Sequence, residues 1–146
     1  IPRVLLRKLQ RVQNTAARVN SRTHRNEHIK PVLKELHWLP VERRIQFKIP
    51  LYTYKAPHGE APQYLKDLVQ IRTPTRTLRS SYTIQLSIPH TNTTTYGDWT
   101  FSKASPVLWN ALPESIRNSP STDCFKRSLK TYLFQCEYNW GHKVLI

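Results

Sequence analysis

Eleven prolines are spread along this chain of 146 residues, and they constrain its fold more than any other feature of the sequence. Proline lacks the backbone N–H that a helix interior needs, and its ring clashes with the preceding turn. The chain has no proline between Pro2 and Pro31, but prolines recur throughout the rest of it. The sequence therefore predicts one long helix near the start and only short helices after it.

The first helix is predicted over residues 3–22, and two of its faces have a clear character. Apolar residues at steps of four and three define an apolar stripe, formed by Leu5, Leu9, Val12, Ala16 and Val19. Four basic residues lie within about 60° of one another on a different face. They define the arginine face, formed by Arg7, Arg11, Arg18 and Arg22.

Shorter helices are predicted over residues 30–37, 41 to about 54, 61–69, part of 98–112, and 121 to about 136. Pro50 falls inside the helix that begins at residue 41, where we expect it to kink or break the helix. Ser121 or Thr122 can cap the last helix. Trp38 and Trp109, which both adjoin leucine, are interpreted as packing residues rather than as platforms for bases.

A strand is predicted after residue 80. Apolar and polar residues alternate from Tyr82 to Ile88, which is typical of a half-buried strand, and residues 91–95 are a candidate edge. We therefore predict a helix-rich α+β fold, with several short proline-punctuated helices and a small β element. The predicted organisation has four parts: a basic, helical, thumb-like segment at 1–71, an Arg-rich loop with the β element at 72–98, a helical segment at 99–136 and a frayed tail at 137–146.

The charge of the chain points to a polyanionic partner. It contains 23 Lys and Arg against 9 Asp and Glu, a formal net charge of +14, and residues 1–26 contain no acid. Surface helices usually mix the two signs, whereas arrays of one sign bind phosphates by displacing condensed counterions. We expect the arginine face to bind nucleic-acid backbones, the alternative being an ordinary solvated helix face.

A second basic cluster follows at residues 72–80, where arginines alternate with hydroxyl side chains. Its basic members are Arg72, Arg76 and Arg79. Arginine and hydroxyl groups together suit phosphate oxygens, so we predict that this cluster assists the arginine face. A solvated loop explains the same composition equally well.

Catalytic and metal-binding patterns are missing from the sequence. The nine carboxylates are scattered with no two adjacent, although a two-metal nucleotidyl-transfer site needs them clustered. With only three glycines there is no Gly-rich phosphate loop. His24 and His28 have a possible ligand spacing, but no further His or Cys lies nearby. We expect no cofactor, no metal and no enzymatic activity of the chain by itself.

The compartment is expected to be intracellular, in the nucleus or the cytoplasm. No apolar run approaches the roughly 20 residues that span a bilayer, and the amphipathic N-terminus does not have the pattern of a secretory signal. Cys124 and Cys136 are separated by about 18 Å of predicted helix, beyond disulfide reach. Because the chain has no Met and starts at Ile1, we also expect it to be a piece of a longer reading frame.

Several motifs in order resemble one known family. They include LQRVQNTAARV at residues 9–19, IKPVLKELHWLPV at 29–41, APQYL at 61–65, LRSS at 78–81, YGD at 96–98 and ASPVLWN at 104–110. This series resembles the segment that follows the reverse transcriptase domain in non-LTR (LINE-type) retrotransposon polyproteins. The resemblance covers roughly residues 5–134, nearly the whole chain.

The resemblance implies that the parent protein is an RNA-directed DNA polymerase. Its catalytic carboxylates would lie upstream, and the segment resembled here is a thumb-like, post-palm region that contacts template and product. The implied partners are a template–primer duplex and the missing upstream reverse transcriptase domains, with no membrane. Two alternatives stay open. The first is a structural module that docks on the polymerase, and the second is a decayed, non-functional copy. Pro50 and Pro57 favour the second, because the family has other residues at these two positions.

Overall fold

A computed structural model of the chain describes residues 2–72, 85–89 and 100–138. Within these ranges the chain forms seven helices and is 67% helical. In chain order they are α1 (Arg3–Ser21), α2 (Ile29–Glu35), α3 (Val41–Lys55), α4 (Gln63–Asp67), α5 (Phe101–Asn110), α6 (Glu114–Arg117) and α7 (Thr122–Tyr138).

The predicted α+β class is wrong, because the fold is all-α. In the part of the chain that the structure describes there is no strand or sheet, and the β element is reduced to one antiparallel bridge between Ile71 and Leu86. The backbone of Leu86 makes its hydrogen bonds to the side chain of Asn110 and not to another extended segment. Its N–H donates to Asn110 Oδ1 and its carbonyl accepts from Asn110 Nδ2, both at 2.9 Å. The alternation of apolar and polar residues could not show that the amide side chain of Asn110 in α5, rather than a further strand, binds the backbone of Leu86.

Residues 73–84, 90–99 and 139–146 lie outside the described ranges. The start of the predicted strand, the candidate edge at 91–95 and nearly all of the predicted tail therefore stay predictions.

The chain divides into two compact units. Among the described residues, the first unit contains 2–46 and 130–138, and the second contains 47–72, 85–89 and 100–129. Both α3 and α7 contribute residues to each unit.

The core of the first unit lies between α1 and α2. Ala17 of α1 is completely buried, and Val32 and Leu33 of α2 are 6% and 2% exposed. Half-buried residues pack around these three, namely Ile29, Leu36, Trp38 and Tyr138. The small side chain of Ala17 lets the two helices approach closely, which explains why a short helix of seven residues is held in place.

The core of the second unit is aromatic. Phe125 of α7 is completely buried, and its ring stacks on Tyr54 at 4.5 Å and on Trp109 at 5.8 Å between centroids. The burial of Trp109 confirms its interpretation as a packing residue. A buried hydroxyl pair, Thr53 and Ser105, adds a 2.7 Å hydrogen bond between α3 and α5.

Most of the prolines act as predicted, but two of them, Pro50 and Pro106, are buried inside helices. Pro62 and Pro113 directly precede α4 and α6, where the missing N–H costs nothing. Pro50, however, lies inside an uninterrupted α3 and is almost fully buried. Burial of the ring within the second unit offsets part of the cost of the missing helical hydrogen bond, and the expected break does not occur.

Candidate nucleic-acid interface

Helix α1 has three distinct faces. The buried face centres on Gln13 and Ala17, which are 8% and 0% exposed. At 100° per residue, the arginine face is centred about 130° away on one side, and the apolar stripe about 100° away on the other. Gln13 is buried because its Nε2 donates a 2.8 Å hydrogen bond to the Leu39 carbonyl. The helix therefore docks through neither of the two faces that the sequence pattern singles out.

The arginine face is brought together as predicted along one side of α1. Arg7, Arg11 and Arg22 are exposed, while Arg18 is half-buried. The guanidinium of Arg18 donates a 3.1 Å hydrogen bond from Nη2 to the backbone carbonyl of Glu27. Its Nε is buried and has no hydrogen-bond partner within the described ranges. Arg18 is thus the one member of the face whose position is fixed by the fold.

Within the described ranges, no carboxylate neutralises the charge of this face. Four ion pairs are seen among the residues that the structure describes, and none of them involves the arginine face: Lys30–Glu137, Arg43–Glu137, Lys55–Glu60 and Lys126–Asp123. Glu27 lies next to Arg18, but Arg18 bonds to the backbone carbonyl of Glu27 and not to its carboxylate. The guanidinium groups are therefore available to an external anion.

Arg22 ends α1 in an unusual backbone conformation. Its φ of 52° and ψ of 31° are left-handed, a region that favours glycine. The conformation lets the Thr23 N–H return to the Arg18 carbonyl at 3.1 Å, which closes the last turn. A side chain here costs stability, yet it adds a fourth arginine to the face.

An open hollow of about 690 Å³ lies at the end of α1. It is lined by three arginines, a histidine, two hydroxyl side chains and one valine of the apolar stripe: Arg18, Arg22, Arg25, His24, Thr15, Thr23 and Val19. His24 and Arg25 were not among the predicted site residues, although the absence of acids from residues 1–26 was a signal that could have included them. This mixture of guanidinium and hydroxyl donors suits phosphate oxygens.

The second predicted cluster is only partly described. Arg72 is exposed and belongs to the second unit, where its backbone N–H donates to the Gln85 carbonyl at 2.9 Å. Arg76 and Arg79 lie outside the described residues. The proposed assistance of this cluster therefore stays a prediction.

The second unit contains a cavity of about 520 Å³ that no sequence pattern marks, because five separate segments line it. Its walls include Tyr54, Trp109 and Leu86 together with the polar side chains of His58 and Lys66. Burial, together with the nearby Glu60 carboxylate, raises the pKa of Tyr54. Its hydroxyl donates a 2.7 Å hydrogen bond to the Ser119 carbonyl, which joins α3 to the residues after α6.

The described residues bring together no group of three His, Cys, Asp or Glu side chains. No helix within the described ranges combines the length and the apolar character needed to cross a membrane.

No protein-family model matches the chain, and neither a curated protein nor a solved structure is detectably similar to it. The retrotransposon resemblance therefore rests on the sequence motifs alone.

Proposed function

We propose that the chain binds the sugar–phosphate backbone of nucleic acids through the arginine face of α1, without reading the base sequence. The observation that carries this proposal is the row of four like charges on one helix face, three exposed and that of Arg18 half-buried, none of them ion-paired within the described residues. Such an array gains free energy by releasing counterions from the polyanion.

The dimensions of the face suit a backbone. From Arg7 to Arg22 the helix rises about 22 Å, so the four guanidinium groups can contact several successive phosphates. The hollow at the end of α1 extends the same basic surface through Arg25 and His24.

The amide side chain beside this face is already used within the protein, which argues against base recognition. Gln10 donates from Nε2 to Asn14 Oδ1 at 2.8 Å, and its Oε1 accepts from the Val41 N–H at 2.9 Å. Bidentate amide contacts are the usual means of recognising adenine. With Gln10 engaged at both ends, this amide is not free to recognise adenine.

In the context suggested by the sequence motifs, this binding would serve reverse transcription. The chain would be a segment of a LINE-type reverse transcriptase that acts in the nucleus or cytoplasm and grips a template–primer duplex. Bond formation would belong to the upstream polymerase domains, and the chain would not be an enzyme by itself.

The test is binding of the full chain to a fluorescent template–primer duplex at salt concentrations between about 50 and 200 mM. The variant replaces the whole arginine face with glutamine. Each lost phosphate contact should lower the slope of log affinity against log salt by about 0.9, so the slope should fall by about three to four.

A matched control removes the same charge elsewhere, by glutamine substitution of four exposed lysines: Lys34, Lys66, Lys126 and Lys130. The control should keep most of the wild-type slope. Equal slopes for the two variants would show that net charge alone drives binding and would overturn the assignment to the arginine face. A duplex affinity that depends on base sequence would overturn the backbone-only mode.

A further inference from the structure

The apolar stripe of α1 is exposed. Leu5 and Leu9 are 50% and 51% exposed, and Val12 and Val19 are 68% and 75% exposed. Isolated exposed apolar residues are ordinary, but these form one continuous row of four turns along a single helix. Nothing within the described residues covers the row, since α1 docks through Gln13 and Ala17.

The spacing of the stripe is that of a helix–helix seam. Steps of four, three, four and three residues repeat every seven, as the core positions of a coiled coil do. The stripe is only about 80° wide, narrower than the apolar face of a helix that lies in a bilayer surface. Helix α1 also contains no aromatic residue, whereas interfacial helices are rich in Trp and Phe. A single helix fits this surface better than a membrane does.

The charge around the stripe determines what that helix must carry. Residues 1–26 contain seven basic side chains and no acid. Lys8 and Arg22 lie along the edge of the stripe that faces away from Gln13, at the positions where coiled coils form interhelical ion pairs. An antiparallel second copy of α1 would place basic groups against basic groups at this edge, and a parallel copy would face the edge that contains the buried Gln13, so both arrangements disfavour self-association. We propose that the apolar stripe docks one amphipathic helix of a partner protein, with acidic residues flanking its apolar seam.

This docking uses a different face of α1 from the proposed nucleic-acid binding, and Arg22 lies on the border between the two faces. The stripe and the arginine face are centred about 130° apart around α1, so a helix and a duplex can occupy the two faces at the same time. The two proposals can therefore fail separately.

The probe is a synthetic 21-residue peptide with leucine at its seam positions and glutamate at the flanking positions. Two matched peptides serve as controls, one with lysine flanks and one with serine at the seam. Binding to the full chain is measured by titration calorimetry. We expect the acidic leucine peptide to bind at least tenfold more tightly than either control. Equal binding of the lysine or serine peptide would overturn the proposal, because charge or the seam would then have no role.

The protein variant is Leu9→Ser with Val12→Ser, which should weaken binding of the acidic peptide at least tenfold and leave duplex affinity unchanged. The control variant, Leu68→Ser with Val107→Ser, changes apolar residues that are 43% and 44% exposed in the second unit. It should bind the peptide as the wild type does, and circular dichroism should show that both variants fold.

Two further measurements identify other occupants. Sedimentation equilibrium tests a second copy, and flotation with vesicles of phosphatidylcholine and phosphatidylserine tests a bilayer. Self-association or vesicle binding that the Leu9→Ser and Val12→Ser variant abolishes would overturn the choice of a partner helix. Binding of the acidic peptide supports a partner helix if the double variant abolishes neither self-association nor vesicle binding.

Discussion

The hydroxyl of Tyr138 donates a 2.6 Å hydrogen bond to the carbonyl of Trp38, a residue 100 positions earlier in the chain. Burial raises the pKa of Tyr138 to about 12, and the neighbouring Glu137 carboxylate adds to the effect. Glu137 itself pairs with Arg43 at 3.1 Å and with Lys30 at 3.6 Å. The end of α7 is thus tied into the first unit by a hydrogen bond and two ion pairs.

We predict that Tyr138→Phe lowers the free energy of unfolding by about 1–2 kcal/mol at pH 7, because the half-buried Trp38 carbonyl loses its donor while the ring is kept. Urea denaturation of wild type and variant measures the difference. Tyr64→Phe is the control, since Tyr64 is 64% exposed and its loss of a hydroxyl should change stability by less than about 0.5 kcal/mol. Equal effects of the two substitutions would contradict a role for the Trp38 contact.

The same tyrosine predicts an alkaline dependence. Its folded pKa of about 12 lies above the ordinary value of 10.0, so the neutral phenol is favoured by the fold. The contribution of Tyr138 is complete below pH 10 and is lost as the pH rises from 10 towards 12. The stability difference between wild type and Tyr138→Phe should therefore shrink over that interval. A difference that stays constant up to pH 12 would contradict this assignment.

A substitution in the aromatic core of the second unit should lower the free energy of unfolding more than Tyr138→Phe does. Phe125→Ala should destabilise the chain by about 3–5 kcal/mol, because it removes a completely buried ring and the stacking on Tyr54 and Trp109. That is a large fraction of the roughly 5–15 kcal/mol typical of a domain. Thermal and urea unfolding measure the loss, and Leu68→Ala, at a 43% exposed position, is the matched control that should change little. A loss below about 1 kcal/mol for Phe125→Ala would contradict the assigned core.

Sequence periodicity predicted six of the seven helices within the described ranges, five with ends correct to about two residues and α5 only as an unspecified part of 98–112. The exception, α6, has only four residues, which is too short to show a period. Ser121 caps α7 as one of the two expected residues, since its Oγ accepts a 3.3 Å hydrogen bond from the Cys124 N–H. The sequence was therefore sufficient to predict a helix or its cap where the interacting residues lie within one helical turn of each other.

Long-range contacts were not predictable in the same way. The apolar stripe correctly indicated a helix, but which face of α1 is buried depends on Gln13 reaching Leu39, a contact across 26 residues. The single bridge at Leu86 likewise depends on Asn110, 24 residues away. An amphipathic pattern identifies the faces of a helix, and only the packing of other elements decides which one is covered.

Arg22 allows its backbone and its charge to be tested separately. Arg22→Gly should stabilise the chain by about 1 kcal/mol, because glycine adopts a φ of 52° without strain. Arg22→Ala keeps the Cβ and should give no such gain. Both variants remove the same guanidinium and should lower the salt slope of duplex binding by about 0.9. Thermal melts and the binding series check the two effects, and equal melting temperatures for glycine and alanine would contradict the assigned strain.

Pro50 provides a test of whether the chain is a decayed copy. Relative to alanine, a proline inside a helix costs about 3 kcal/mol, but the almost fully buried ring of Pro50 recovers part of that cost through packing. Removing two buried methylenes loses about 1.6 kcal/mol at 0.8 kcal/mol each. We therefore expect Pro50→Ala to stabilise the chain by only about 1 kcal/mol, which raises a cooperative melting temperature by a few degrees.

The control for Pro50→Ala is Pro57→Ala, since Pro57 is exposed after the end of α3 and should give no gain. Comparing either variant with the wild type requires that the wild type melts cooperatively. We expect this if Pro50 is packed in the core of the second unit. A wild type without a cooperative transition, and a Pro50→Ala variant that acquires one, would instead support a damaged relic. In that outcome the ring would act as an uncompensated helix breaker, and the continuous α3 would not represent the stable fold of the chain.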